Sequence, residues 1–106
     1  MTISRDMIEA AGRTSRPHAN AAAAAGEFLR AQVRPDGGFA DRAGKSDLYY
    51  TVFGLDGLIA LRMSLPLEPV THYLRSFGDG GELDLVHRCC LARSWAAVES
   101  LDPSCQ

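Results

Sequence analysis

A chain of 106 residues that is 46% hydrophobic and 23% charged has the composition of a soluble globular protein, with room for a single modest core. Its formal net charge of −2 provides no basic footprint for nucleic acid or an anionic membrane surface, and no apolar run is long enough to span a bilayer. Residues 1–7 lack an apolar signal core, and Cys89, Cys90 and Cys105 cannot all pair within one chain, so a cytoplasmic protein with reduced thiols is expected.

In chain order, residues 3–12 are expected to form a short amphipathic helix, with Ile3, Met7, Ile8 and Ala11 on one side. A polar connector containing Pro17 and His18 follows. Asn20 is the predicted N-cap of an alanine-rich helix running to about residue 33. Ala21, Ala25, Phe28, Leu29 and Gln32 share its expected inner face. Arg34-Pro35-Asp36-Gly37-Gly38 stops that helix, since proline cannot continue it and glycine supplies turn dihedrals.

A loop is expected up to Asp47, whose carboxylate caps a helix over residues 48–62. Only Thr51 and Asp56 are strongly polar there, and a helix apolar on nearly every side needs neighbours all round. Gly54 and Gly57 are expected to admit another backbone at close range, since glycine is costly in an exposed helix. Pro69 is predicted at the first position of the next helix, to about residue 77. After the glycine turn at 78–81, Asp84 caps a last helix to about residue 101. Its two stripes are Leu85, Cys89, Ala92 and Ala96, and Val86, Cys90, Ala97 and Leu101.

These pieces recur. Phe28-Leu29-Arg30 parallels Tyr73-Leu74-Arg75, Asp36-Gly37-Gly38 parallels Asp79-Gly80-Gly81, and Asp47-Leu48 parallels Asp84-Leu85. The period is that of a helical hairpin, a unit that cannot bury its apolar face alone. The expected organisation is therefore all-α, a single domain or fragment: residues 1–19 as helix and connector, 20–63 as a first hairpin, 64–106 as a second. Two such units fall short of a stable array, so further repeats or self-association are expected.

Residues 37–61, with Gly37-Gly38-Phe39-Ala40-Asp41-Arg42-Ala43-Gly44 followed by Thr51-Val52-Phe53-Gly54 and Gly57-Leu58, resemble the last zinc-ligand repeat of protein prenyltransferase β subunits. These belong to the α/α-toroid family that includes squalene and terpene cyclases. The resemblance implies an incomplete barrel section of about two hairpins, with helices 20–33 and 69–77 outside and 48–62 and 84–101 inside, lining an isoprenoid diphosphate cavity. It further implies that Arg42 and Lys45 approach the diphosphate and Asp41 its magnesium, an arrangement consistent with anion binding at a helix N-terminus. A solvated charged loop is the other reading of those three residues. Tyr49 and Tyr50 either pack between hairpins or line the pocket.

The sequence departs from the family at Tyr50, where the zinc-dependent enzymes carry a histidine ligand, and a phenol is a poor zinc ligand at neutral pH. No Asp-x-Cys pair or Asp-x-Asp-Asp acid is found, and His18, His72 and His87 are expected in ordinary structural roles. No cofactor is evident: zinc is disfavoured, and magnesium would come only with a diphosphate. Trp95 is read as a core anchor or as a pocket wall. The expected function is a prenyltransferase-like repeat protein binding an isoprenoid diphosphate without zinc-dependent prenylation of its own. The alternative is a non-catalytic helical-repeat scaffold for another protein.

Overall fold

Helix-forming runs separated by proline and glycine breaks dictate the architecture of the computed structural model, which describes residues 19–101. Four helices and one small hairpin follow in order: α1 (Ala19–Ala31), β1 (Phe39–Ala40), β2 (Ser46–Asp47), α2 (Leu48–Ala60), α3 (Leu67–Arg75) and α4 (Leu85–Leu101). The helix predicted over 3–12, its connector with His18, and Cys105 lie outside the described residues.

Asn20 is inside α1 rather than capping it. The inner side of α1 is also turned from the predicted face: Leu29 is half-buried as expected, but Gly26 is buried and Ala21, Ala25 and Phe28 are exposed. The cause is one close contact. A β-carbon on Gly26 would sit 1.7 Å from the Met63 sulfur, so the helix approaches the chain beyond α2 along this line. Arg30 fixes the approach by donating from Nη2 to the Ser64 carbonyl at 2.7 Å and to the Ser64 hydroxyl.

The segment predicted as plain loop contains an antiparallel hairpin pairing Phe39 with Asp47 and Ala40 with Ser46. Val33 bridges to Phe39 on its other side. Strands of two residues leave no periodicity to read, which is why an all-α expectation missed them.

Asp47, in extended conformation, caps α2 as predicted by accepting from the Tyr50 amide at 3.1 Å. The helix ends earlier than expected. Arg62 turns left-handed at φ 58°, and the Met63 and Arg62 amides return to the Leu58 and Ile59 carbonyls, a Schellman closure. α3 starts before the predicted position, so Pro69 is its third residue. Proline is tolerated there because first-turn amides have no intrahelical acceptor.

α1 and α2 pack antiparallel, with Leu29 against Gly57 and Met63 against Gly26. α2 and α4 run in the same direction: His87 faces Asp47 at one end, and Arg93 pairs with Asp56 two turns further along both helices. The core lies between these elements and α3, with Leu48, Leu55, Leu58, Val70, Leu74, Leu91 and Val98 nearly or fully buried. Trp95 packs partly buried against it. The glycines of α2 admit side chains rather than another backbone. A β-carbon on Gly54 would fall 2.2 Å from the Phe39 ring, and one on Gly57 2.7 Å from a Leu29 methyl.

The expectation that α2 is surrounded on all sides holds for only part of its circumference. Leu48, Thr51, Leu55 and Leu58 are buried, but Tyr49 is 49% and Phe53 47% exposed. Spaced i and i+4, the two rings form one wet apolar stripe along the helix.

Candidate functional site

That stripe is one wall of an open hollow of about 380 Å³ between α2 and α4. Tyr49, Val52 and Phe53 line it from α2, and Leu85, Val86 and Cys89 from α4. Tyr49 and Phe53 meet edge to face with ring centres 4.9 Å apart, a geometry that stiffens the wall. At the far end Arg93 donates to Asp56 at 2.8 Å, so the two charges on the lining neutralise each other.

Phe53 also borders a second hollow, on the α1 side, shared with Phe28, Phe39, Asp41, Arg42 and Tyr50. The five residues singled out from the sequence are therefore divided. Tyr49 faces the first hollow; Asp41, Arg42 and Tyr50 line the second; Lys45 is exposed and lines neither. Asp41 spends one carboxylate oxygen on its own turn, accepting from the amides of Ala43 at 2.8 Å and Lys45 at 3.0 Å.

The corner leading into α2 is tightly bonded. The buried Thr51 hydroxyl accepts from the Phe39 amide at 3.0 Å and donates to the Asp47 carbonyl at 2.8 Å. Asp36 accepts from the Gly38 amide and from the Ser46 hydroxyl. Burial alone would raise its carboxyl, but those two hydrogen bonds and the charge of Arg34 outweigh it and hold the group below the ordinary value. Tyr73, set against this corner, is pushed up to about 12 by burial and by the charges of Asp36 and Asp47.

The sequence reading missed a polar cluster where α2 and α4 begin. Asp84 caps α4, its Oδ1 accepting from the His87 amide at 2.8 Å and lying 2.8 Å from His87 Nδ1. His87 Nε2 lies 3.8 Å from Asp47 Oδ1. The hydrogen bond to Asp84, opposed by slight burial and aided by both carboxylate charges, raises the imidazole above its ordinary pKa. The hydrogen bonds from His87 lower Asp84 in turn. The Asp84-x-x-His87 spacing was visible in the chain as a local helix-start pair, but the contact with Asp47 exists only because two distant helices are adjacent.

The cluster does not make a nucleophile. Burial, then the charges of Asp47, Cys89 and Asp84, push the Cys90 thiol up despite Arg93, away from the reactive thiolate. Among the described residues no group of three or more His, Cys, Asp or Glu side chains is arranged to hold a metal ion, and no helix is long and apolar enough to cross a membrane. What the surface does offer is apolar, aromatic-walled space beside neutralised charge. Comparisons of the chain with protein-family models, with curated proteins and with solved structures found no match to any of them.

Proposed function

We propose that the chain is a prenyltransferase-like pair of α/α-toroid hairpins that binds an isoprenoid chain on the open face of α2 and α4, without zinc-dependent protein prenylation of its own. The observation that carries this reading is the hollow itself: six apolar side chains converge on it from two parallel helices. Apolar area removed from water there contributes about 25 cal/mol per Å², and the Tyr49 and Phe53 rings fit a methyl-branched alkene chain. The succession α1–α2 then α3–α4, with the second member of each pair parallel to the other, supports the stacked-hairpin reading.

The diphosphate end has less support. The α2 and α4 N-termini are already occupied by Asp47 and Asp84, whose charges oppose a second anion. Asp41 closes its own turn, and Lys45 points to solvent away from either hollow. Arg42, on the wall of the second hollow, is the one predicted cation beside a cavity.

Isothermal titration of the intact chain with geranylgeraniol and with geranylgeranyl diphosphate tests both parts. Saturable heat is expected with each, and Phe53→Ala weakens both by roughly tenfold, about 1.4 kcal/mol. Absence of heat with either ligand overturns the reading. An Arg42→Ala, Lys45→Ala pair that leaves the diphosphate no weaker than before removes the anion assignment alone.

A second reading, a non-catalytic scaffold for another protein, is favoured by an apolar group that a lipid in that hollow would leave uncovered: Phe28, on α1, is 65% exposed. It predicts self-association at micromolar concentration in sedimentation, and a stable monodisperse monomer argues against it.

A further inference from the structure

We propose that His87 is a proton-operated clasp between the first turns of α2 and α4. When protonated it holds Asp84 through Nδ1 and Asp47 through Nε2; when neutral it keeps Asp84 alone. The inference does not depend on what, if anything, occupies the hollow.

The geometry supplies three parts. Asp84 sits three residues before His87 and accepts from both its amide and its Nδ1, so the ring is oriented by its own helix cap. That leaves Nε2 directed toward α2, where Asp47 Oδ1 lies 3.8 Å away. Asp47 in turn uses Oδ2 to hold the Tyr50 amide, so the imidazole reaches the first turn of α2 through a single carboxylate. Proton position decides the sign of the contact. The imidazolium presents an N–H to each of two anions, whereas the neutral ring, with its one proton on Nδ1, turns a lone pair toward Asp47.

The neighbouring charges leave this balance to the two aspartates. On α4, the Arg88 guanidinium is turned back to the Leu83 carbonyl and Arg93 is paired with Asp56. Cys90, one turn along, is held as a thiol. α3 contributes Tyr73, which shares the Asp47 field and stays neutral up to about 12. Two carboxylates therefore face one imidazole, and both favour its charged form. In the linkage sense, a group whose pKa is raised on folding contributes stability that is complete below the unfolded value, near 6.5, and is lost as pH rises through the folded value. The clasp is closed in mild acid and opens toward alkaline pH, beside the hollow walls formed by Tyr49, Leu85 and Val86.

NMR titration of the intact chain, following the histidine Cε1 protons and the Tyr50 amide, tests the proposal. His87 is expected to titrate above the free value, lower in Asp47→Asn and lower still in Asp84→Asn. Asparagine is an equally good helix cap, so both variants retain their helix starts. The Tyr50 amide is expected to shift with the His87 midpoint in the parent and to lose that transition in His87→Gln. A His87 midpoint unchanged by Asp47→Asn overturns the clasp, and so does a Tyr50 transition that persists in His87→Gln.

Discussion

Asp47 and Asp84 open α2 and α4 with the same dipeptide, Asp-Leu, yet the two corners are held differently. At the first, a hairpin, a buried threonine and a buried phenylalanine clamp the chain: Thr51 bonds to both Phe39 and Asp47, and the Phe39 ring fills the notch at Gly54. At the second, the cap bonds only to its own helix, through His87, and the Asp84 side chain is 67% exposed. A helix start can thus be written locally in three or four residues, while its rigidity depends on what the rest of the chain brings to it.

The sharpest way to break that contrast is at the clamp. Gly54→Ala brings a methyl to within 2.2 Å of the buried Phe39 ring, which would have to shift, and should cost about 1–3 kcal/mol in denaturant unfolding. Gly57→Ala meets only the end of the flexible, half-buried Leu29 side chain and should cost distinctly less. Thr51→Val keeps the shape but strands the Phe39 amide, for a loss of about 1–3 kcal/mol. Asp84→Ala, at the open corner, should lower the melting temperature less than Thr51→Val does; equal losses would erase the difference between the corners.

The two corners also diverge in alkali. Folding pushes Tyr73 from its ordinary 10.0 up to about 12, so its contribution is complete below about 10 and is lost as pH rises toward 12. Tyr73→Phe should flatten that part of the melting-temperature profile while changing little at neutral pH. The smallest effect is expected at Ser94, whose buried hydroxyl has no partner among the described residues. Ser94→Ala should leave stability unchanged or slightly higher, because no hydrogen bond is lost and a desolvated polar group is removed.

Most of the helical frame was legible in the chain. Proline and glycine marked the breaks, and both aspartate caps lie where their side-chain chemistry required them. The turned face of α1 was not legible, because a run of alanines is nearly uniform around the helix and only the Gly26–Met63 contact chooses its side. Nor was the wet flank of α2: aromatic residues read as buried whether or not a neighbour exists to cover them. For the candidate site, local spacing says less. Tyr49, Tyr50, Asp41 and Arg42 do border cavities, but two separate ones, and nothing in local spacing tells which side of Phe53 each will face. His87 is expected from the sequence in an ordinary structural role, because one of its two carboxylate neighbours lies forty residues earlier, on another helix.

The threonine clamp turns one amide into a gauge. Deuterium can replace the Phe39 proton only after the Thr51 hydroxyl lets go, which requires the α2 start to fray or the preceding strand to peel off. Exchange at that single site should therefore report the opening free energy of the whole corner, slow beside the turn amides of Ala43 and Gly44. A ligand settling against α2 would slow it further, even though nothing bound in the hollow touches the amide itself.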